Sequence, residues 1–362
     1  MDTSIRGKCT EMCPIDETKL RESERLLHIL EMIPGTETLA KPRADKNRIV
    51  KMYTRSAAGA NMSLPKNLRT TGALTNTVNY LLRDVISSKV LPWHLVYDFI
   101  ADRLLAVRQD MLIQRLSPSH YISLLQPIIR FYTYSAYNLC EHTVSQFDPV
   151  LNNKHLQESL KRLLKLYDEI EYVSKKCLAD GDSNKHVDYK HLYSDCRPFF
   201  EALYIIFNLG DISAIFRGLS LEKKWRTEVV VRALEISMAV LRGNWYRACK
   251  RIRKLPTLLA AIASLHLPSI RRDALTKMTI AYSSKILTYP ISALQEQLLY
   301  SNKTDIIKDC THYNIKIEND AIQFLKGAAN VQDMLGPRHE QFVSEKLSGR
   351  SVSNLVLDGD IW

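Results

Sequence analysis

The sequence predicts an all-α protein: a solenoid of stacked helices followed by a winged-helix subdomain. Three observations lead there. Glycine is scarce, at 12 of 362 residues, whereas the tight turns of β-rich folds need residues that tolerate positive φ. Apolar residues recur at three- and four-residue spacing through most of the chain, among abundant Leu, Ala, Lys, Arg and Glu, which are good helix formers. A period-two pattern appears only in one short stretch near the C-terminal end.

Residues 1–64 read as an extended N-terminal segment with one helix, from about Asp16 to Met32. Leu20, Leu26, Leu27 and Leu30 mark its apolar side, and Pro34-Gly35 ends it. Pro42, a basic stretch and Ser56-Ala57-Ala58-Gly59 follow, as in a segment that packs along something larger. Residues 65–267 read as a helical array. Val96, Ile100, Leu104, Val107 and Met111 line one helix. Asn152-Asn153 opens another, with Leu156, Leu160, Leu163, Leu164, Tyr167 and Ile170 on one face and charged residues opposite. The stretch Phe199–Leu209 is apolar almost all round and stops at Gly210-Asp211; Glu228–Leu241 stops at Gly243-Asn244. Helices this long with short connections pack as antiparallel neighbours, so stacked αα-hairpins are expected, without a strict sequence repeat.

Residues 268–330 change character. Helices are expected from Pro268, Pro290 and Thr304. Ile315 and Ile317 then alternate with Lys316 and Glu318, Asn319-Asp320 turns, and Ile322 and Phe324 return. Three helices and a hairpin are the order of a winged helix. Residues 331–362 are polar, with Gly336-Pro337 and Ser348-Gly349-Arg350, and read as a partly disordered tail.

Composition narrows the function. The chain is 46% hydrophobic and 25% charged, ordinary for a globular protein. No apolar run reaches the roughly 20 residues that cross a bilayer, and MDTSIRGKCTEMCP lacks a signal-peptide core. Seven scattered cysteines, an odd number, fit a reducing compartment. A net charge of +11 favours anionic partners. Phosphate-binding glycine loops, GxSxG, HExxH and CxxC are all missing from the sequence, so no cofactor, metal or catalytic motif is proposed. His186 and His191 read as loop histidines, and Cys140-Glu141-His142 as side chains pointing apart on a helix.

Several motifs then occur in order. Gly7-Lys8-Cys9-Thr10-Glu11-Met12-Cys13-Pro14 fits GxCxxMCP, and Val50–Gly59 fits VKxxxRSAAG. Leu64-Pro65 to Leu68-Arg69, Thr77-Val78-Asn79-Tyr80-Leu81, then Phe99, Asp102-Arg103 and Ala106-Val107-Arg108-Gln109-Asp110 follow, and Leu241-Arg242-Gly243-Asn244-Trp245 closes the set. Together these resemble the Sac-three/GANP homology-domain family over almost all of residues 7–345, nearest to its short stand-alone members. Leu104-Leu105 stands where the family has a more polar pair.

The resemblance implies a TPR-like helical solenoid and a PCI-type winged helix. It implies a scaffold, not an enzyme, that pairs with a PCI-domain protein and a small acidic Sem-type protein to bind RNA in nuclear mRNA export or processing. The alternative it carries is a centrosome- or spindle-associated structural protein in mitosis with little RNA binding. Nucleus, cytoplasm and centrosome are the implied locations; no membrane and no small-molecule substrate are. Cys9, Met12, Cys13, Pro14, Arg55, Ser56 and Gly59 are expected to pack the N-terminal segment, and Asp102, Arg103 and Arg108 to pair between helices. Arg247, Lys250, Arg251, Arg253, Lys254, Arg271, Arg272 and Lys277 are the expected nucleic-acid contacts, with Trp245 and Tyr246 available to stack on bases. The residues alone slightly favour a solvated helix face with Trp245 in the core; the resemblance tips the reading to binding. On family grounds alone, Ile315, Lys316, Ile317 and Glu318 are expected to meet the protein partner.

Overall fold

The computed structural model describes residues 5–55, 63–179, 196–330 and 333–359. The fold is all-α with one small sheet. The chain forms two compact units, Met1–Phe131 with Arg350–Ile361, and Tyr132–Gly349 with Trp362.

In the first unit, helices Thr71–Arg83 and Trp93–Gln114 carry the core through Leu74, Leu81, Val96, Ile100, Leu104 and Met111. The N-terminal segment is sewn to them by backbone and charge. Cys9 pairs with Arg69 as in a parallel ladder: Cys9 N donates to Leu68 O at 3.0 Å and Thr70 N to Cys9 O at 2.8 Å. Gly7 permits that approach, since a Cβ there would lie 2.5 Å from Leu68 O and 2.6 Å from Arg69 O. Cys13 is buried with Leu27, Ala44 and Ile49, against Met32. Burial lifts the Cys13 thiol to about 12, so it packs as a neutral, apolar group. Pro14 is buried, Met12 half-buried and Arg55 exposed; Ser56 and Gly59 lie outside the described residues.

The expected helix from Asp16 to Met32 is shorter. It runs Ile15–Ser23, and a 3-10 turn follows at Ile29–Glu31. Arg25 takes a positive φ of 56°, and Leu20 and Leu26 end up exposed. The cause is polar. Buried Arg21 donates to Val50 O at 3.0 Å and to the Glu31 carboxylate, which folds the chain back instead of continuing the apolar stripe.

In the second unit, helix Pro149–Ala179 comes first, and from Arg197 on the helices Arg197–Phe207, Ile212–Ser220, Glu228–Leu241, Trp245–Ile252, Thr257–Ser264 and Leu267–Ala281 succeed one another with short connections. Asp148, Asp211 and Asn244 cap their helices with side-chain oxygens. Helices Ile291–Gln297 and Lys303–His312 follow. Three strands then join in the antiparallel order β1-β3-β2: β1 Tyr289–Pro290, β2 Lys316–Glu318 and β3 Ala321–Gln323. The β2–β3 turn uses Asn319 and Asp320 at φ 48° and 60°, residues that tolerate the left-handed region. Ile322 and Phe324 are buried, with the Tyr282 and Tyr289 rings 6.5 and 6.1 Å from Phe324. The period-two signal therefore marks the hairpin; β1 is an addition the sequence does not announce.

The stretch expected as a partly disordered tail differs most. It forms helices Gln341–Leu347 and Val352–Leu357 and buries Glu340, Val343, Leu355 and Val356. Most of its polar side chains face water, and Glu340 is the buried, ion-paired exception.

Candidate nucleic-acid interface

The basic cluster sits on two adjoining helices of the second unit. Gly243, at φ 67°, ends one helix, and Asn244 Oδ1 accepts from Arg247 N at 3.0 Å to start the next. Helix Trp245–Ile252 buries Ala248, Cys249 and Ile252. Its other side therefore faces water and carries Tyr246, Arg247 and Lys250, with Arg253 and Lys254 just beyond. Lys277, exposed on Leu267–Ala281, reaches the same turn: its ammonium would stand 2.2 Å from a Cβ built on Gly243. The Lys250 ammonium lies 6.0 Å from the Tyr246 ring centroid, placing a cation beside an exposed aromatic face.

These cations differ in what they already hold. Arg251 is taken by Glu235, and Arg247 approaches the same carboxylate at 3.8 Å. Arg242, Lys250, Arg253, Lys254 and Lys277 have no carboxylate partner among the described residues and are exposed. Arg272 is half-buried, and Trp245 is half-buried while Tyr246 is open. Arg253 also edges a polar cavity of about 300 Å³ beside Gln295, Tyr300 and Gln341.

Arg271 corrects the sequence reading. It is only 1% exposed. Its guanidinium donates to Glu340 at 2.6 and 3.1 Å and to Leu298 O at 3.0 Å, and lies 4.1 Å from the Tyr300 ring centroid. Charge count cannot separate it from neighbouring Arg272; its partner comes from 69 residues away. Arg271 is thus buried and engaged as a structural clamp rather than open to solvent. Arg251, held by Glu235, is likewise an internal partner first.

The expected protein-facing strand is mixed in exposure: Lys316 and Glu318 are open and Ile317 half-buried on the sheet's edge strand β2. Ile315 is buried, its N–H on Cys310 O at 2.7 Å, and Lys316 and Glu318 pair with each other at 2.7 Å. Larger exposed apolar surface lies before β1: Ile286 is 89% and Leu287 73% exposed, near exposed Ile280 and Tyr282 in sequence. Ser284 Oγ accepts from the N–H groups of Ile286 and Leu287, at 3.2 and 2.9 Å, so the loop is built, not loose. The missed signal is an apolar pair directly after Ser283-Ser284-Lys285, where turn chemistry calls for polar residues.

Burial pushes the Cys140 thiol up to about 12, which keeps it protonated, and Glu141 pairs with His339 at 3.1 Å. No helix among the described residues is long and apolar enough to cross a membrane.

Comparison with known proteins agrees with the motif order. The model of the SAC3/GANP family matches residues 12–319. Protein xmas of Drosophila melanogaster is 25% identical over 326 residues, 87% of this chain and 15% of that protein. SAC3 family protein 1 of Schizosaccharomyces pombe is 25% identical over 362 residues, 97% of this chain and 34% of that one. SAC3 family protein B of Arabidopsis thaliana is 25% identical over 279 residues, 76% and 16% respectively. The chain thus spans about a third or less of the length of these relatives.

Proposed function

This chain belongs to the SAC3/GANP family, and from that premise we propose that it is a non-catalytic scaffold that binds RNA in nuclear mRNA export or processing. It does so with a PCI-domain protein and a small acidic Sem-type protein. The single observation that carries the reading is the set of exposed cations without carboxylate partners, among the described residues, at Arg242, Lys250, Arg253, Lys254 and Lys277, beside open Tyr246. Such cations release phosphate counterions on contact without first breaking an internal ion pair. An exposed tyrosine adds a face on which any base can stack. Recognition is of backbone and single strands rather than of sequence. The helix succession supports a TPR-like solenoid, and the β1-β3-β2 sheet behind three helices supports a PCI-type winged helix.

The test is RNA affinity against salt. Lys250→Glu, Arg253→Glu and Lys254→Glu combined should weaken single-stranded RNA binding by about tenfold or more near 100 mM salt. The log–log salt slope should flatten by roughly 0.7 for each phosphate that is no longer neutralised. Arg272→Glu should matter less. An unchanged slope in the triple variant would reject this surface and favour the centrosomal role.

We assign the PCI-domain partner to the Ile286–Leu287 loop. Burying two such side chains contributes roughly 1.5–3 kcal/mol each. Ile286→Asp with Leu287→Asp should therefore abolish co-purification of the PCI-domain protein while far-UV circular dichroism stays unchanged. Retained co-purification would move the partner elsewhere.

A further inference from the structure

Helix Ile212–Ser220 has a second face that no described residue covers. Its inner face is fixed tightly. Ala214, Ile215 and Gly218 are buried, and a Cβ on Gly218 would stand 2.8 Å from both Ile205 Cδ1 and Leu234 Cδ2. A Cβ there would have to push two buried side-chain ends aside, so the missing side chain lets the helix seat closely. Asp211 Oδ1 caps it through Ala214 N at 2.9 Å. The outer face then presents Ile212, Phe216 and Leu219, which are 70%, 71% and 50% exposed. They stand at i, i+4 and i+7, a continuous apolar ridge on one side of the helix. This is the spacing that an amphipathic partner helix reads.

Charge differs along the ridge, with exposed Asp211 at its N-terminal end. Arg217 is committed to Asp168 and Glu201, and Glu222 to Lys175 and Lys224. Lys223 and Arg226, in the turn that follows the helix, are exposed and have no carboxylate partner among the described residues. The C-terminal end of the ridge therefore carries uncompensated positive charge, while the ridge itself carries none. We infer that this face seats an acidic amphipathic helix from a partner protein, its apolar stripe on Ile212, Phe216 and Leu219 and its carboxylates toward Lys223 and Arg226. This docking is independent of the RNA-binding and winged-helix surfaces.

The experiment places a photoreactive phenylalanine analogue at position 216 of the full chain in cells and reads the crosslinked peptide by mass spectrometry. The expected product is a segment with apolar residues at three- and four-residue spacing and Asp or Glu between them. The same peptide, synthesised, should bind the purified chain. Phe216→Ser should weaken it by at least tenfold, and Lys223→Glu with Arg226→Glu by at least threefold at low salt. Both variants should keep the circular dichroism of the parent, because the altered side chains are exposed. Crosslinks to a neutral or basic segment, to a second copy, to RNA, or back into residues 180–195 would overturn the inference. So would a peptide whose affinity ignores both variants, or no crosslink at all.

Discussion

Glu31→Gln should cost the N-terminal unit about 3–5 kcal/mol, because it strips the counter-charge from two buried arginines at once. The Glu31 carboxylate is fully buried. It accepts from Arg21, from Arg103 Nη2 at 3.1 Å and Nε at 3.3 Å, and from Val50 N at 3.1 Å. Glutamine keeps the volume but loses the charge. Arg21 is then left with Val50 O and with Glu17 at 3.8 Å, and Arg103 with half-exposed Asp102. Denaturant midpoints at equal m-value measure the loss; a difference under about 1 kcal/mol would mean the arginines find other partners.

The same carboxylate sets a pH dependence. Burial pushes its pKa up, but the Arg103 and Arg21 charges and hydrogen bonds outweigh burial and hold it below the ordinary value of 4.5. A depressed pKa in the folded state gives stability that is complete above 4.5 and is lost as pH falls through the depressed value. The gap between the native chain and the Glu31→Gln variant should be constant near neutrality and shrink below about pH 4. A gap that widened on acidification would contradict this sign.

The second large effect is expected at Glu340→Gln, again about 3–5 kcal/mol, now in the C-terminal unit. Arg271 would keep only neutral acceptors, the Leu298 and Leu299 carbonyls and the new amide oxygen, and no counter-charge. Glu340 anchors more than its own charge. Its N–H donates to the Tyr137 hydroxyl at 3.0 Å, and that hydroxyl donates back to its carbonyl at 3.2 Å. Arg338, two residues earlier, makes two hydrogen bonds to Asp309 at 2.8 and 2.9 Å. Loosening this knot should lower the thermal midpoint by roughly 10 °C and expose the 338–349 segment to protease. Pairing Glu340→Leu with Arg271→Met should recover much of the loss, since apolar groups need no counter-charge. A double variant as unstable as the single one would show that the cost lies in packing rather than charge.

Both predictions concern residues whose roles the sequence conceals. Periodicity locates the helices at Trp93–Gln114 and Glu228–Leu241 and the β2–β3 hairpin, because those elements arise from contacts a few residues apart. It overextends the N-terminal helix, because Leu26, Leu27 and Leu30 continue an apolar pattern that the buried Arg21 interrupts. The candidate interface is partly legible. Lys250, Arg253, Lys254 and Lys277 are open cations, whereas Arg271 is buried and Arg251 is already paired with Glu235. Ile286 and Leu287 escape a sequence reading because apolar residues are assigned inward by default.

Residue order alone is enough for the all-α class, the position of the hairpin, the basic character of the region from Arg242 to Lys285, and membership of the family through successive motifs. Those are properties of composition, local spacing and residue identity. Three-dimensional packing is needed to tell which arginine is a clamp and which is free, that the C-terminal stretch is folded, and which apolar side chains face water. The reason is long-range pairing: Glu31 meets Arg103 across 72 residues and Glu340 meets Arg271 across 69. Whether a charge is buried depends on a partner that no local pattern reveals.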